Sequence, residues 1–188
     1  QVVGAINSMQ VQSMGTLAGD LCLQPNCWYY RNGYGLLGRR DGESLVEAGR
    51  NEHHAILGNG GPAKYVSASR FAPALIALGA KVRIVGPAPD QVTLLPVESF
   101  FVTPRDAHQG TTVLQPGQLV THVWLPQVEG WQSASYEVQQ LNGLDWPLAT
   151  ASVALLRTSA GVVQSARIVL GHVAPVPWVA TAAAAGLS

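Results

Sequence analysis

The residue types best suited to chemistry crowd into one early stretch, "MGTLAGDLCLQPNCWYYRNGYG", residues 14–35. Gly15 and Gly19 flank Thr16, Leu17 and Ala18, so the main chain can approach a ligand closely and present successive N–H groups. Thr16 adds a hydroxyl and Asp20 an acceptor. Such a turn can cradle a phosphate. The same spacing also describes a tight turn leading into a packed core, and Cys22 with Cys27 offers a third reading, a metal site.

Each kind of chemistry makes its own demands on the rest of the chain. Zinc or an iron–sulfur cluster needs about four ligands, and Cys22 and Cys27 are the only cysteines. His53 and His54 are adjacent, so they diverge on either a strand or a helix. His108, His122 and His172 are scattered. No Gly-x-Ser-x-Gly elbow is present, and a lone cysteine among histidines makes no dyad until space brings them together. The acidic residues fall mostly in turns rather than in pairs. The expectation is therefore no catalytic side chain and no metal in this chain, with Cys22 a small buried hydrophobe.

The 188 residues suffice for one ordinary domain or two small ones. Only 12% are charged, about half the usual share of ~25%. Such a surface suggests cover by a partner, although Gln, Ser, Thr and Asn could equally supply its polarity. Net charge is zero and there is no basic run, which points away from nucleic acid and anionic membranes. The longest apolar stretches, such as "FAPALIALGA" and "WPLATASVALL", fall short of the roughly 20 residues a spanning helix needs. No signal peptide is visible and two cysteines form no disulfide framework, so a reducing, cytoplasmic setting is the default. Periplasmic residence would require a partner carrying the export signal. The opening on Gln1 rather than Met suggests a fragment.

Some scaffold must hold the early turn in place. Residues 1–8 read as the tail of a helix. The glycine- and charge-rich residues 31–66 lack a sustained period and read as a long functional or contact loop. In "SASRFAPALIALGA", Ser69 is the expected N-cap and Gly79 the terminator of a helix. "KVRIVG" and "QVTLLP" form an expected hairpin, residues 97–102 a short helical turn, and "LVTHVWLP" another strand with His122 and Trp124 on one face. "QVEGWQSA" reads as a linker. Strands over "SYEVQQ", "LATASVALLR" and "VVQSARIVLGHVA" follow, the first two joined by a turn in "NGLDWP". A helix starts at Ala180, as a sheet with one bare face requires.

Five stretches in order carry a resemblance: "MGTLAGDLCLQPNCWYYRNGYGLLG", "NEHHAILGNGGPAKYVSASRFAPALIALGAKVRI", "FFVTP", "SYEVQQLNGLDWPLATASVALL" and "ARIVLGHVAPVPW". Together they resemble the FAD-binding subunit of the molybdenum hydroxylases, the group of xanthine dehydrogenase, carbon monoxide dehydrogenase and aldehyde oxidoreductase. The resemblance implies an α+β fold. Residues 1–126 would be the second lobe of a two-lobed, PCMH-type FAD-binding domain, an antiparallel sheet with flanking helices. After a linker at 127–132, residues 133–188 would form a truncated C-terminal domain of three antiparallel strands and a helix. The first lobe, with its own glycine-rich loop, would lie upstream, so these residues alone would hold FAD weakly.

The family's Thr-Ile-Gly-Gly-Asn/Asp turn matches Thr16, Leu17, Ala18, Gly19 and Asp20, which with Ser69 become the expected cofactor contacts. Departures accompany the match. Ala18 replaces a glycine, and Arg70 stands where many relatives place an aspartate in Ser-Asp-Leu. Glu137 falls where some relatives carry a lysine near the flavin. Some relatives hold a four-cysteine cluster in the long loop, of which this chain has Cys27. Trp28, Tyr29 and Tyr30 read as packing or interface, and His54, in the family's His-Ala-Ile, as a structural hydrogen bond.

The implied role is an electron-transfer subunit. FAD would take electrons from iron–sulfur centres on one partner, after a molybdenum cofactor on another oxidises the substrate. The alternatives are a scaffold that has lost FAD and a stand-alone flavin reductase.

Overall fold

The computed structural model describes residues 1–127, 129–141 and 145–187. Short helices open the chain: α1 (Val2–Ala5), α2 (Met9–Met14), α3 (Leu17–Leu21) and α4 (Trp28–Arg31). The long loop holds a two-residue hairpin, β1 (Arg39–Arg40) with β2 (Glu43–Ser44), and one helical turn, α5 (Leu45–Ala48). Then come α6 (Ala72–Ala77), β3 (Lys81–Val85), β4 (Val92–Pro96), a 3-10 turn (Val97–Phe100) and β5 (Leu119–Trp124). The last part comprises β6 (Trp131–Val138), β7 (Ala149–Arg157), β8 (Val163–Gly171), β9 (Trp178–Val179) and α7 (Thr181–Ala185).

Two antiparallel sheets organise the molecule. One has the order β4-β3-β5, the other β6-β7-β8-β9. The hairpin expected from "KVRIVG" and "QVTLLP" pairs Lys81 with Pro96 and Val85 with Val92. Burial alternates along β3, with Val82 and Ile84 inside, because successive side chains leave a strand on opposite faces. On β7 the buried positions are Thr150, Ser152 and Ala154.

Helix α6 joins the sheets. Its sequence APALIA is apolar all round, so no face favours water. It packs against β7, β8 and the 3-10 turn. One core runs through Leu21, Leu75, Ile76, Val82, Ile84, Phe100, Val120, Ala154 and Val169. Gly79 ends the helix with φ +70°, the left-handed geometry glycine adopts without steric cost. Gly171 lets α6 approach β8, since a Cβ there would lie 2.6 Å from Pro73 Cγ. The Gly171→Ala variant is expected to lose about 2 kcal/mol through overpacking, measured by urea unfolding.

The structure differs from the sequence expectations at four places. Helix α6 starts at Ala72 with Phe71 rather than Ser69 at the N-cap position, although Ser69 Oγ still accepts from Ala72 N. The 3-10 turn ends at Phe100, and Phe101 is already extended. Strand β6 starts at Trp131, inside the expected linker, because its main chain pairs with β7 from Leu156 onward. The short β9 adds a fourth strand beside β8. Residues 142–144 of the expected "NGLDWP" turn, and Val128, lie outside the described residues. Among the described residues no helix is long and apolar enough to cross a membrane.

Candidate functional site

The early turn is the start of α3. Thr16 is its N-cap, in extended backbone, and its Oγ1 accepts a hydrogen bond from Gly19 N at 2.9 Å. A helix start leaves its first N–H groups without intrahelical acceptors, here those of Leu17 and Ala18. Thr16, Leu17 and Gly19 are exposed, whereas Leu21 is buried and Ala18 and Cys22 pack on the core. The core therefore fixes the helix while its donors stay open to solvent. Gly15 has a different role: its N–H closes α2 on Val11 O at 2.8 Å.

Asp20 ties this turn to a segment fifty residues away. Its carboxylate accepts from Ser69 Oγ, from Arg70 N at 3.2 Å and from Phe71 N at 3.1 Å. Ser69 Oγ in turn accepts from Ala72 N at 3.0 Å, a capping contact for α6. Burial raises the Asp20 pKa above the ordinary carboxylate value, outweighing the bonds from Ser69, Phe71 and Arg70 and the Arg70 charge. All the expected cofactor residues thus stand together: Thr16, Leu17, Ala18 and Gly19 form the open edge, and Asp20 with Ser69 form the joint behind it.

FAD would bring an anionic pyrophosphate, and the donor set suits it. The main-chain N–H groups of Leu17 and Ala18 and the Thr16 hydroxyl are oriented donors at a positive helix end. A Cβ on Gly19 would lie 3.0 Å from Thr16 Oγ1, so the glycine keeps that hydroxyl uncovered. The Asp20 charge is already paired with the chain's own donors.

Beyond the joint, Arg70 reaches the C-terminal sheet. Its guanidinium donates to the Asp145 main-chain oxygen and sits 5.7 Å from the Trp146 ring centroid. It lies 4.0 Å from Glu137 Oε1, the two side chains being 12% and 10% exposed. Arg70 and Glu137, both read from sequence as departures from a pattern, are therefore partners. Burial raises the Glu137 pKa and the Arg70 charge opposes it.

Next to this joint lies a cavity of about 510 Å³, walled by the long loop on one side and the C-terminal sheet on another. Cys27, Trp28, His53, His54, Trp146 and His172 all line it. Residues 52–54 form a turn, neither strand nor helix, so His53 and His54 face one cavity instead of diverging. His54 Nε2 lies 3.1 Å from Cys27 Sγ, the hydrogen bond expected of His54, although its partner lay hidden 27 residues upstream. Trp28 stacks edge-on with Tyr29 and His53 and receives the Arg50 guanidinium at 4.6 Å. His172, in left-handed backbone at φ +62°, hydrogen-bonds Thr150 Oγ1 at 3.1 Å through Nδ1. In the sequence it was one of the scattered histidines, inside the expected strand "VVQSARIVLGHVA", whereas β8 ends one residue earlier at Gly171. Among the described residues no group of three His, Cys, Asp or Glu side chains is arranged to hold a metal ion.

Comparisons with known proteins bear on the family and the fold. A family profile described as "FAD binding domain in molybdopterin dehydrogenase" matches residues 1–128. The aldehyde oxidoreductase FAD-binding subunit PaoB of Escherichia coli (strain K12) is 28% identical over 184 residues, covering 96% of this chain and 56% of that one. Among solved structures, CO dehydrogenase from Oligotropha carboxidovorans aligns with TM-score 0.62 at 21% identity, covering 97% of this chain and 47% of that one. CO dehydrogenase from Hydrogenophaga pseudoflava aligns with TM-score 0.60 at 23% identity over the same shares, 97% and 47%. The chain spans about half the length of the proteins it matches. The α+β fold with antiparallel sheets is shared with these structures, and the family match over residues 1–128 covers both the α3 turn and Ser69. The chain belongs to the family of FAD-binding domains of the molybdopterin dehydrogenases, the flavin-binding branch of the molybdenum hydroxylases.

Proposed function

We propose that this chain holds FAD as the electron-transfer part of a molybdenum hydroxylase complex. Iron–sulfur centres on one partner would deliver the electrons, a molybdenum cofactor on another having oxidised the substrate, and an acceptor would finally receive them. The names of its relatives speak of aldehyde and carbon monoxide oxidation, and what those systems would share is the flavin-holding part. Bound FAD supplies the redox chemistry at its isoalloxazine ring. The residues of this chain bind and orient.

One observation carries this reading: a half-buried carboxylate joins the two expected contact segments while leaving oriented donors exposed. Thr16, Leu17, Ala18 and Gly19 would hold the pyrophosphate, and Asp20 and Ser69 would fix the turn that presents them. We place the boundary between the flavin lobe and the C-terminal domain near residue 126, the expected 127–132 linker being cut short where β6 begins at Trp131. The low charged fraction of 12% accords with partners covering part of the surface.

A second reading, a scaffold without FAD, is favoured by Arg70, which stands where many relatives place an aspartate cofactor contact and whose side chain is engaged by Glu137 and Asp145 instead. The visible spectrum separates the two. On the first reading the purified protein shows flavin absorption, or gains it on titration with FAD; on the second it does neither. The Gly19→Val variant is expected to bind FAD about ten-fold more weakly, through loss of roughly 1.4 kcal/mol of donor contacts, measured by FAD fluorescence titration. Unchanged affinity would remove Gly19 from the site.

A further inference from the structure

We propose that Cys27 and His54 form a thiol–imidazole pair that makes Cys27 a peroxide-reactive modification site within the cavity. The 3.1 Å between Cys27 Sγ and His54 Nε2 lets the ring nitrogen take the thiol proton. His54 is 9% exposed, and burial lowers its pKa below the ordinary 6.5 against the opposing Asn51 backbone contact, with the His53 charge adding to the lowering and Glu52 opposing it. In its neutral form the ring can accept the thiol proton at Nε2 while Nδ1, buried without a hydrogen-bond partner, carries the ring N–H.

A second feature points independently to a small polar guest. His172, on another wall of the same cavity, is 5% exposed, and its Nε2 has no partner in hydrogen-bond geometry, the Ala68 main chain approaching the side chain without completing a bond there. A buried polar nitrogen of this kind is costly unless something polar reaches it. Ile56, Leu148 and Val173 supply apolar wall. A neutral hydroperoxide can pass such a wall without the desolvation cost a charged electrophile would meet, and it offers both donor and acceptor.

The chemistry balances without another reagent. The Cys27 proton moves to His54 Nε2 and the sulfur attacks one peroxide oxygen. The S–O bond forms as the O–O bond breaks, so sulfur is oxidised by two electrons and peroxide is reduced. The leaving hydroxide takes the proton back from His54 and departs as water, leaving a sulfenic acid on Cys27.

Cys22 is the internal reference. It packs against the main core, and burial pushes its thiol pKa up. The intact protein is treated with hydrogen peroxide, the sulfenic acid is trapped with dimedone, and both sites are read by peptide mass spectrometry. Adduct at Cys27 is expected to exceed that at Cys22 by about ten-fold or more, and His54→Gln to reduce the Cys27 adduct about ten-fold while leaving Cys22 unchanged. Equal labelling of the two cysteines, or an unchanged Cys27 adduct in a folded His54→Gln protein, overturns the proposal. Labelling the wild type in urea keeps the test independent of that variant's folding. The preference for Cys27 should vanish there, and its persistence would assign the reactivity to local sequence rather than to the pair.

Discussion

Replacing Asp20 with alanine is expected to lower the thermal midpoint by roughly 6–12 °C, the equivalent of about 3 kcal/mol in a chain of this size. The reason is the asymmetry of buried hydrogen bonds. The carboxylate accepts from the Ser69 hydroxyl and from the main-chain N–H groups of Arg70 and Phe71. Alanine leaves those donors facing a void, and each buried unsatisfied donor costs about 1–3 kcal/mol. Removing a charge that burial disfavours returns part of that loss, as does any water that enters. Asparagine supplies one acceptor oxygen but sets its NH₂ group against donors, so Asp20→Asn should fall between wild type and alanine. Because Asp20 also anchors α3 to the Ser69 segment, FAD affinity should fall in step with stability. Calorimetry with parallel FAD titration checks both. An alanine variant melting within about 2 °C of wild type, less than the shift from 1 kcal/mol, would show that the joint does not depend on this carboxylate.

The parts legible in the sequence were those with local causes. The hairpin of β3 and β4 showed in the alternation of "KVRIVG" and "QVTLLP", and Gly79 marked the end of α6 by type alone. The Thr16–Asp20 turn was legible as a unit, yet the roles inside it were not. Asp20 offered an acceptor, and only the fold reveals that it faces Ser69 across 49 residues. Arg70 and Glu137 each looked like an isolated oddity, because nothing local says that α6 brings one onto the sheet that carries the other. Cys27 and His54 were hidden in the same way: pair geometry depends on how the long loop folds back, and that loop has no period to read. Ser69 illustrates the same split: its type marked a helix start, and its Oγ does accept from Ala72 N, but that Asp20 supplies the acceptor for the Arg70 and Phe71 N–H groups is visible only in the fold.

The largest pH effect below neutrality should come from His172, and its sign can be worked out. Burial, and next the Arg70 charge, lower its pKa from 6.5 to about 4, with a backbone approach from Ala68 opposing. Between those values the unfolded chain binds a proton that the folded chain refuses. Stability therefore rises with pH through that window, is fully present above 6.5, and is lost as pH falls toward 4. The linked loss is about 3 kcal/mol. His54 acts in the same direction, whereas Asp20 and Glu137, with raised pKa values, gain stability on acidification. The total slope thus mixes opposing groups, and a variant must isolate one of them. His172→Asn is suitable, because asparagine tolerates the left-handed backbone at φ +62° and does not titrate. Urea midpoints measured from pH 7 to pH 4 should fall more steeply in the wild type than in the variant, the curves converging by about 3 kcal/mol. Parallel curves would mean that His172 takes up a proton in the folded chain as readily as in the unfolded one, through a polar guest or water at Nε2 that relieves its burial.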